Sequence, residues 1–328
     1  MSLLADLLPL TLAGSEPAER EVFTPAGARV RWLAEGALEL TPVAADDAGL
    51  DLVLSAGVHG CEVVPVKLLD QLLQRIGRGE IRPRARLLLL LCNPPAMRAG
   101  VRRIGQDLNR LFCGAHAGQA GWEAERAALL ERLVAAFFQV PGRARWHYDL
   151  HSAMRPSCLP QFAVCPWVAG RTVSEASLWR LGDAAVDAVL VQERPSATFS
   201  AHTATRHDAD AFTLEVAEAP GGGWPACLPQ LLATAQGWIE ARPRSPDLPL
   251  KKPQGFRLAR EIIKRSEAFV LRLPADIQNF TPLPAGRLLA EDGAHRWVAD
   301  GTGERILFPL ADVAVGERAG LLVMPRQL

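Results

Sequence analysis

Three residues in two short segments of this chain could form one metal site. His59 and Glu62 lie three positions apart in the segment 57–62, and His151 ends the segment 149–151. Two imidazoles and one carboxylate are a standard ligand set for a zinc ion that activates water, because such an ion keeps a fourth position open. The spacing therefore predicts one zinc ion per chain, bound by these three side chains.

A further segment, 213–215, ends in a candidate catalytic carboxylate, Glu215. Hydrolysis of an amide at a zinc site needs a base for water and an acid for the leaving nitrogen, and one carboxylate can do both in turn. Taken alone, Glu215 could instead pair with an arginine, and either histidine could be a structural residue. Asp149 precedes His151 by two positions and would point the same way on a strand. It could orient the imidazole or make an ordinary buried hydrogen bond.

The segments that must position these side chains read as alternating strands and helices. Short apolar runs predict strands, and apolar residues at helical spacing predict helices between them. In open α/β sheets, ligands bind beyond the carboxyl ends of parallel strands, where the candidate residues recur. The pattern predicts an α/β fold, with strands at 51–56, 87–91, 145–150 (ending on His151) and 212–216, and helices at 62–73, 123–138, 174–190 and 229–240.

A proline-rich segment, 242–253, separates two regions of different composition. Prolines interrupt helices and central strands, so the segment is typical of a linker. Beyond it, short alternating runs at 268–273 and 305–308 predict a small β domain. The predicted organisation is a catalytic domain over 1–245 and a β-rich C-terminal domain over 246–328.

The charge composition excludes some classes of partner. The 36 basic residues balance 36 acidic ones among 328, so no global field attracts nucleic acid or an anionic membrane. No charge-free stretch reaches the length of a membrane span, and the first residues lack a basic leader region. A cytoplasmic protein with a small-molecule substrate is expected; the sequence predicts no particular oligomeric state.

Several segments together resemble the succinylglutamate desuccinylase/aspartoacylase family. The likeness implies a zinc carboxypeptidase-like fold with a mixed, mostly parallel sheet flanked by helices, and a small C-terminal β domain that caps the site. It also implies amide hydrolysis of an N-acyl amino acid, and the late segments favour N2-succinylglutamate, cleaved to succinate and glutamate in the last step of the arginine succinyltransferase pathway. The segments are 38–42, 59–62, 93–96, 107–110, 149–151, 213–215, 278–280 and 318–321.

The resemblance also implies roles for single residues. Glu215 would move the proton, and Arg102 would polarise the scissile carbonyl. Asn109 and Arg110 would hold one substrate carboxylate, and Arg206, nine residues before Glu215, would bind another anionic group. In isolation, an arginine is more often a solvated surface charge than a substrate ligand.

Cys61 departs from the family, which commonly has asparagine at this position. A thiol next to the metal could become a fourth ligand and close the site, but a small buried cysteine is the expected outcome. Three other functions stay open. One is aspartoacylase-like hydrolysis of another N-acyl acidic amino acid, and another is a catalytically silent protein that binds zinc or an amino acid. The third is a carboxypeptidase that acts on peptides, although a C-terminal domain that caps the site would disfavour long substrates.

Overall fold

The computed structural model describes residues 3–153, 155–217, 225–244 and 251–328. The α-helices are α1 (Leu3–Ala13), α2 (Val63–Gly77), α3 (Pro94–Ala99), α4 (Trp122–Phe137), α5 (Glu175–Asp183), α6 (Phe199–His207) and α7 (Leu228–Ile239). The strands are β1 (Glu21–Phe23), β2 (Arg29–Ala34), β3 (Ala37–Thr41), β4 (Leu50–Ala56), β5 (Arg86–Leu91), β6 (Ala144–Ala153), β7 (Phe162–Cys165), β8 (Ala188–Val191), β9 (Asp210–Ala217), β10 (Gln254–Ile263), β11 (Phe269–Leu271), β12 (Leu288–Asp292), β13 (His295–Val298), β14 (Arg305–Leu307) and β15 (Arg318–Pro325). Short 3-10 helices cover Ala44–Asp46 and Leu108–Arg110.

One large mixed sheet forms the centre of the molecule. Its strand order is β1-β2-β3-β5-β4-β6-β9-β7-β8-β10-β15-β14. The central run β5-β4-β6-β9 is parallel throughout, as are the pairs β7–β8 and β8–β10. The pairings toward both margins and the β7–β9 pairing are antiparallel. The predicted mixed sheet is confirmed, with its main parallel part in the middle.

Helices cover the two faces of this sheet. On one face, α1, α2, α5 and α7 pack on Leu52, Leu54 and Leu214. On the other face, α4 and α6 pack on Val53 and Leu88. Apolar side chains point to both faces because the central strands are covered on both sides. This arrangement leaves the strand ends, and the loops that follow them, to carry chemistry.

The C-terminal part both extends this sheet and forms a smaller one. Strand β10 pairs in parallel with β8, and β15 and β14 continue the sheet beyond it. Strands β11, β12 and β13 form a separate three-stranded sheet, which shares an apolar core with β10, β14 and β15. The predicted small β region is therefore present, and it is hydrogen-bonded to the rest of the chain. The predicted boundary at 245/246 lies outside the described residues.

The strand and helix predictions near the candidate site are confirmed with small shifts in their ends. The predicted helix 62–73 begins at Val63, and β6 runs past His151 to Ala153. The predicted helix 174–190 is wrong in its second half, because α5 ends at Asp183 and β8 follows. Ala185 adopts a left-handed φ of 60°, which the helix cannot continue through.

No helix in the described part of the chain combines the length and the apolarity needed to cross a membrane.

Candidate active site

The loop between β4 and α2 is shaped by two glycines. Gly57 turns the chain with a φ of 67°, a conformation that costs glycine little. Gly60 lies against the backbone of Ala96 at the start of α3, where a Cβ would stand 2.1 Å from the Ala96 carbonyl carbon. The close approach leaves no room for a side chain. The two glycines thus fix the loop that carries His59 and Glu62.

The structure brings His59, Glu62 and His151 together. Their ligand atoms lie within 4.8 Å of one another, and all three residues are buried. The Nδ1 atom of His59 is 2.7 Å from Oε1 of Glu62, and Nδ1 of His151 is 3.0 Å from Oε2 of the same carboxylate. Glu62 directly precedes α2, and His151 lies near the end of β6. Three donors from two loop positions and one strand thus converge on one point.

Each histidine has a carboxylate on its second ring nitrogen. Asp107 Oδ1 is 3.1 Å from Nε2 of His59, and Asp149 Oδ2 is 3.1 Å from Nε2 of His151. Such partners fix the tautomer and the ring orientation of metal-binding histidines. Both Nδ1 atoms are thereby directed at the same point as Glu62, and two nitrogens with one carboxylate oxygen suit zinc. The residues therefore fit a metal ion.

The electrostatics of this group are those of carboxylates held ionised by histidines. Burial alone would raise the pKa of Glu62, but His151 and His59 hold that pKa well below its usual range. Burial likewise opposes ionisation of Asp107, whose pKa is lowered by His59 and Arg110. Glu62 and Asp149 raise the pKa of His151 against the effect of burial. The carboxylates are thus ready to accept a cation at neutral pH.

A buried hydrogen-bonded chain lies behind His151. Ser55 donates its hydroxyl proton to Oδ1 of Asp149 over 2.6 Å, and Nε2 of His147 lies 2.8 Å from the same hydroxyl oxygen. Because a carboxylate only accepts, the Ser55 proton points to Asp149, and His147 donates to Ser55. Burial lowers the pKa of His147 to about 4, which keeps the ring neutral. Thr203 closes the chain, with its Oγ1 2.8 Å from Nδ1 of His147.

Glu215 lies beside His151 on the neighbouring strand. The two residues are direct partners in the parallel β6–β9 register, so both side chains project from the same face. Adjacent strands are about 4.8 Å apart, which brings the Glu215 carboxyl within reach of a molecule bound beside His59, Glu62 and His151. Burial raises the pKa of Glu215 to about 7. A carboxyl group with a pKa near neutrality can both take and return a proton.

Arg102 and Arg110 lie at the open side of the group. Nη1 of Arg102 is 3.6 Å from Oε1 of Glu62, and its Nη2 is 3.5 Å from Oδ2 of Asp107. Arg110 is exposed, and its Nη1 donates to the backbone carbonyl of Asn109. Both guanidinium groups can therefore meet an anion that approaches from solvent.

Asn109 is buried, with 5% of its surface exposed. Its Oδ1 accepts a hydrogen bond from the backbone NH of Phe199, the first residue of α6. Its Nδ2 lies 3.5 Å from Nε2 of His151. Its NH2 group is the part that could donate a hydrogen bond to a substrate carboxylate.

The structure does not bring Arg206 to this group, and its binding of substrate stays a prediction. Arg206 lies in the last turn of α6 and lines a separate cavity of about 210 Å³ with Cys113 and Trp167. The next residue, His207, accepts a hydrogen bond from Arg145, six residues before His151 on β6. Six strand residues span about 20 Å. Helix α6 runs antiparallel to β9, so its C-terminal end lies at the opposite ends of the strands from the candidate site.

Cys61 is partly exposed, where the sequence predicted a buried side chain, and it is not in the group that could hold a metal. Sequence reasoning assigned no role to Asp107, Ser55 or His147. Asp107 could have been found, since it opens the segment 107–110, which resembles the family. His147 stands four residues before His151, but its contact with Ser55 depends on the β4–β6 register, which the sequence does not display.

Two family models match the chain. The "Succinylglutamate desuccinylase/Aspartoacylase catalytic domain" matches residues 48–237, and the "AstE/AspA barrel-sandwich hybrid domain" matches residues 251–326. A succinylglutamate desuccinylase from Pseudomonas fluorescens is 51% identical over 99% of this chain and 98% of its own length. One from Pseudomonas syringae is 49% identical over 99% of this chain and 98% of its own length. The likeness thus extends over both parts of the molecule.

Solved structures show the same likeness in three dimensions. The crystal structure of succinylglutamate desuccinylase from Chromobacterium violaceum superposes with a TM-score of 0.85 at 36% identity, covering 98% of each chain. Murine aminoacylase 3 superposes with a TM-score of 0.60 at 19% identity, covering 84% of this chain and 95% of its own. The second likeness concerns the fold alone.

Proposed function

We propose that this chain, which belongs to the succinylglutamate desuccinylase/aspartoacylase family, hydrolyses the amide bond of N2-succinylglutamate to succinate and glutamate. Relatives about 50% identical over nearly the whole chain carry the name succinylglutamate desuccinylase. The observation that carries the proposal is the group of His59, Glu62 and His151 with Glu215 on the adjacent strand. The reaction would be the last step of the arginine succinyltransferase pathway.

The proposal includes one zinc ion per chain, held by His59, Glu62 and His151. When bound, zinc supplies a Lewis acid that polarises the amide carbonyl and lowers the pKa of water. The carboxylates of Asp107 and Asp149 keep the two imidazoles aimed at one point through their hydrogen bonds to Nε2. Side chains held in this way lose little flexibility when a metal binds, which favours affinity.

Glu215 is the residue that moves the proton. Its carboxylate accepts a proton from water as the water attacks the amide carbonyl carbon, and it then gives that proton to the glutamate nitrogen as the C–N bond breaks. The atoms balance, since water supplies the oxygen of the new succinate carboxylate and the hydrogen of the new amine. A pKa near 7 suits both directions of transfer.

Arg102 would stabilise the negative charge that develops on the carbonyl oxygen. Its guanidinium is partly exposed, with 49% of the side chain accessible, so it can move toward the substrate. Arg110 and the NH2 group of Asn109 would bind a carboxylate of the glutamate half. Arg206 has no part in the proposal, since it lies near the amino ends of the central strands, away from the candidate site.

The test is to load the purified protein with zinc and measure succinate and glutamate released from N-succinylglutamate. The control variant, His151→Ala, should retain its fold, lose bound zinc and release no product. Stoichiometric release of both products with about one zinc per chain is expected. Full zinc occupancy in His151→Ala would contradict the ligand assignment. Absence of product from the zinc-loaded unmodified protein would contradict the reaction. The expected cytoplasmic location and the lack of a nucleic-acid partner remain predictions.

A further inference from the structure

We propose that Arg318, from the C-terminal part of the chain, binds the side-chain carboxylate of the glutamate half of the substrate. This inference rests on the proposed function, because it assigns a residue to that substrate. It gives the C-terminal region a role in choosing the amino acid.

Arg318 opens β15, and its position is fixed by pairing with Ile263 on β10. The preceding residue, Glu317, reaches the loop at the mouth of the candidate active site, with its Oε1 4.0 Å from Nη2 of Arg103. That loop is held to the metal-binding loop, since the backbone carbonyl of Arg102 accepts a hydrogen bond from the NH of Gly60. The C-terminal region therefore meets the site through residues 317 and 318.

Two other arginines lie among the charges that act on Arg318, together with the carboxylates of Glu261 and Asp107. The pKa of Arg318 is lowered by desolvation first, then by the positive charge of Arg110, and also by that of Arg102. The Glu261 carboxylate is 4.0 Å away, the outer limit of an ion pair, and Asp107 is already bonded to His59. Solvent still reaches 37% of the Arg318 side chain. Three like charges around an accessible space favour the binding of an anion with more than one charge.

Glutamate matches this pair of neighbouring guanidinium groups. Its two carboxylates are joined by a short carbon chain and stand roughly 5 Å apart when extended. Arg110 is the cation that the family resemblance assigns to the amino-acid half, and it is the stronger of the two arginine influences on Arg318. With the α-carboxylate on Arg110, the side-chain carboxylate would reach Arg318. A guanidinium can bind that carboxylate with two parallel hydrogen bonds.

The experiment measures binding of L-glutamate and L-glutamine to the zinc-loaded protein by isothermal titration calorimetry. These ligands have the same shape, and only glutamate has the side-chain charge. The Arg318→Gln variant should weaken L-glutamate binding by roughly tenfold or more and leave L-glutamine binding within about twofold. Arg318→Lys should retain part of the preference, because it keeps the charge and loses the paired geometry. Arg326→Gln is the matched control.

Arg326 follows the other end of β15, about 25 Å away, and it pairs with Glu193. Its side chain is 35% exposed, close to that of Arg318. An unchanged glutamate preference in Arg318→Gln would overturn the inference, as would equal weakening of both ligands. A similar loss in Arg326→Gln would assign the effect to net charge and also overturn it.

Turnover of N-succinylglutamate by the unmodified protein is measured separately, so the two ideas can fail independently. If the unmodified protein binds L-glutamate through Arg318 and does not cleave N-succinylglutamate, the proposed function is wrong and the assignment of Arg318 is supported. If it cleaves N-succinylglutamate and Arg318→Gln keeps the full preference for glutamate, the proposed function is supported and the assignment of Arg318 is wrong.

Discussion

Replacing Asp149 with asparagine should weaken metal binding without removing any ligand. The Asp149 carboxylate is completely buried and accepts from Ser55 on one oxygen, while its other oxygen faces Nε2 of His151. Asparagine has nearly the same shape, so Asp149→Asn changes charge and leaves packing almost intact. The variant isolates the orientation of one imidazole from the presence of the ligand itself.

The size of the effect follows from the one charged hydrogen bond that is lost. A hydrogen bond to a charged group contributes about 1.5–3 kcal/mol, and every 1.4 kcal/mol is a factor of ten. The expected loss of zinc affinity is therefore roughly tenfold to a hundredfold, in the range known for residues that orient metal ligands. The amide could also turn its NH2 group to His151 and favour the wrong tautomer, which would act in the same direction.

The assay is competition for zinc between the protein and a chelator of known affinity. Asp51→Asn is the matched control, because Asp51 is also completely buried and charged, and it pairs with Arg86 and Arg143 at the start of β4. That control should lose stability and keep its zinc affinity. Zinc affinity within twofold of the unmodified protein in Asp149→Asn would refute the orienting role.

Three other predictions use different parts of the structure. Glu215→Gln should keep zinc and substrate affinity while kcat falls by roughly a hundredfold or more, because a base acts in the transition state; near-normal turnover would remove Glu215 from the mechanism. Between about pH 6.5 and pH 4, His147 is protonated in the unfolded chain and stays neutral in the folded chain. The unfolding free energy should therefore fall by about 3 kcal/mol as the pH falls through that window. His147→Gln should flatten this slope by up to one proton in denaturant titrations at several pH values, and an unchanged slope would show that His147 is not the titrating group. Arg206→Ala should leave kcat/KM for N-succinylglutamate within about threefold, since Arg206 lines a different cavity; a tenfold loss with zinc retained would return it to the substrate site.

The central strands could be predicted from sequence because local patterns determine them. The run of leucines in β5 and the apolar spacing in α2 reflect burial on both faces of the sheet and on one face of a helix. The split of 174–190 into α5 and β8 could not, since its apolar residues suit either a helix or a buried strand. Pairing with β7 and β10 decides in favour of the strand, and those partners are distant in sequence.

The candidate site was predictable to the extent that its residues lie at strand ends. His151 and Glu215 were expected near each other because each lies close to the end of a predicted strand, and the β6–β9 register places them side by side. The position of Arg206 was not predictable from its spacing to Glu215. A separation of nine residues does not determine on which side of the sheet's strand ends a side chain lies. The antiparallel direction of α6 places Arg206 away from the site. The long-range pairing of β10 with β15 fixes the place of Arg318, where the charge of Arg110 acts on it.

The most direct test of the proposed function is the ratio of kcat/KM for N-succinylglutamate to that for N-acetylglutamate. The two substrates share the amide and the glutamate half, and they differ in the succinyl carboxylate. A desuccinylase must hold this carboxylate, and whatever group holds it stays unmatched when the acetyl compound binds, so the ratio should be roughly a hundred or more. Equal values for the two substrates would contradict the desuccinylase function and identify a broader N-acyl amino acid hydrolase.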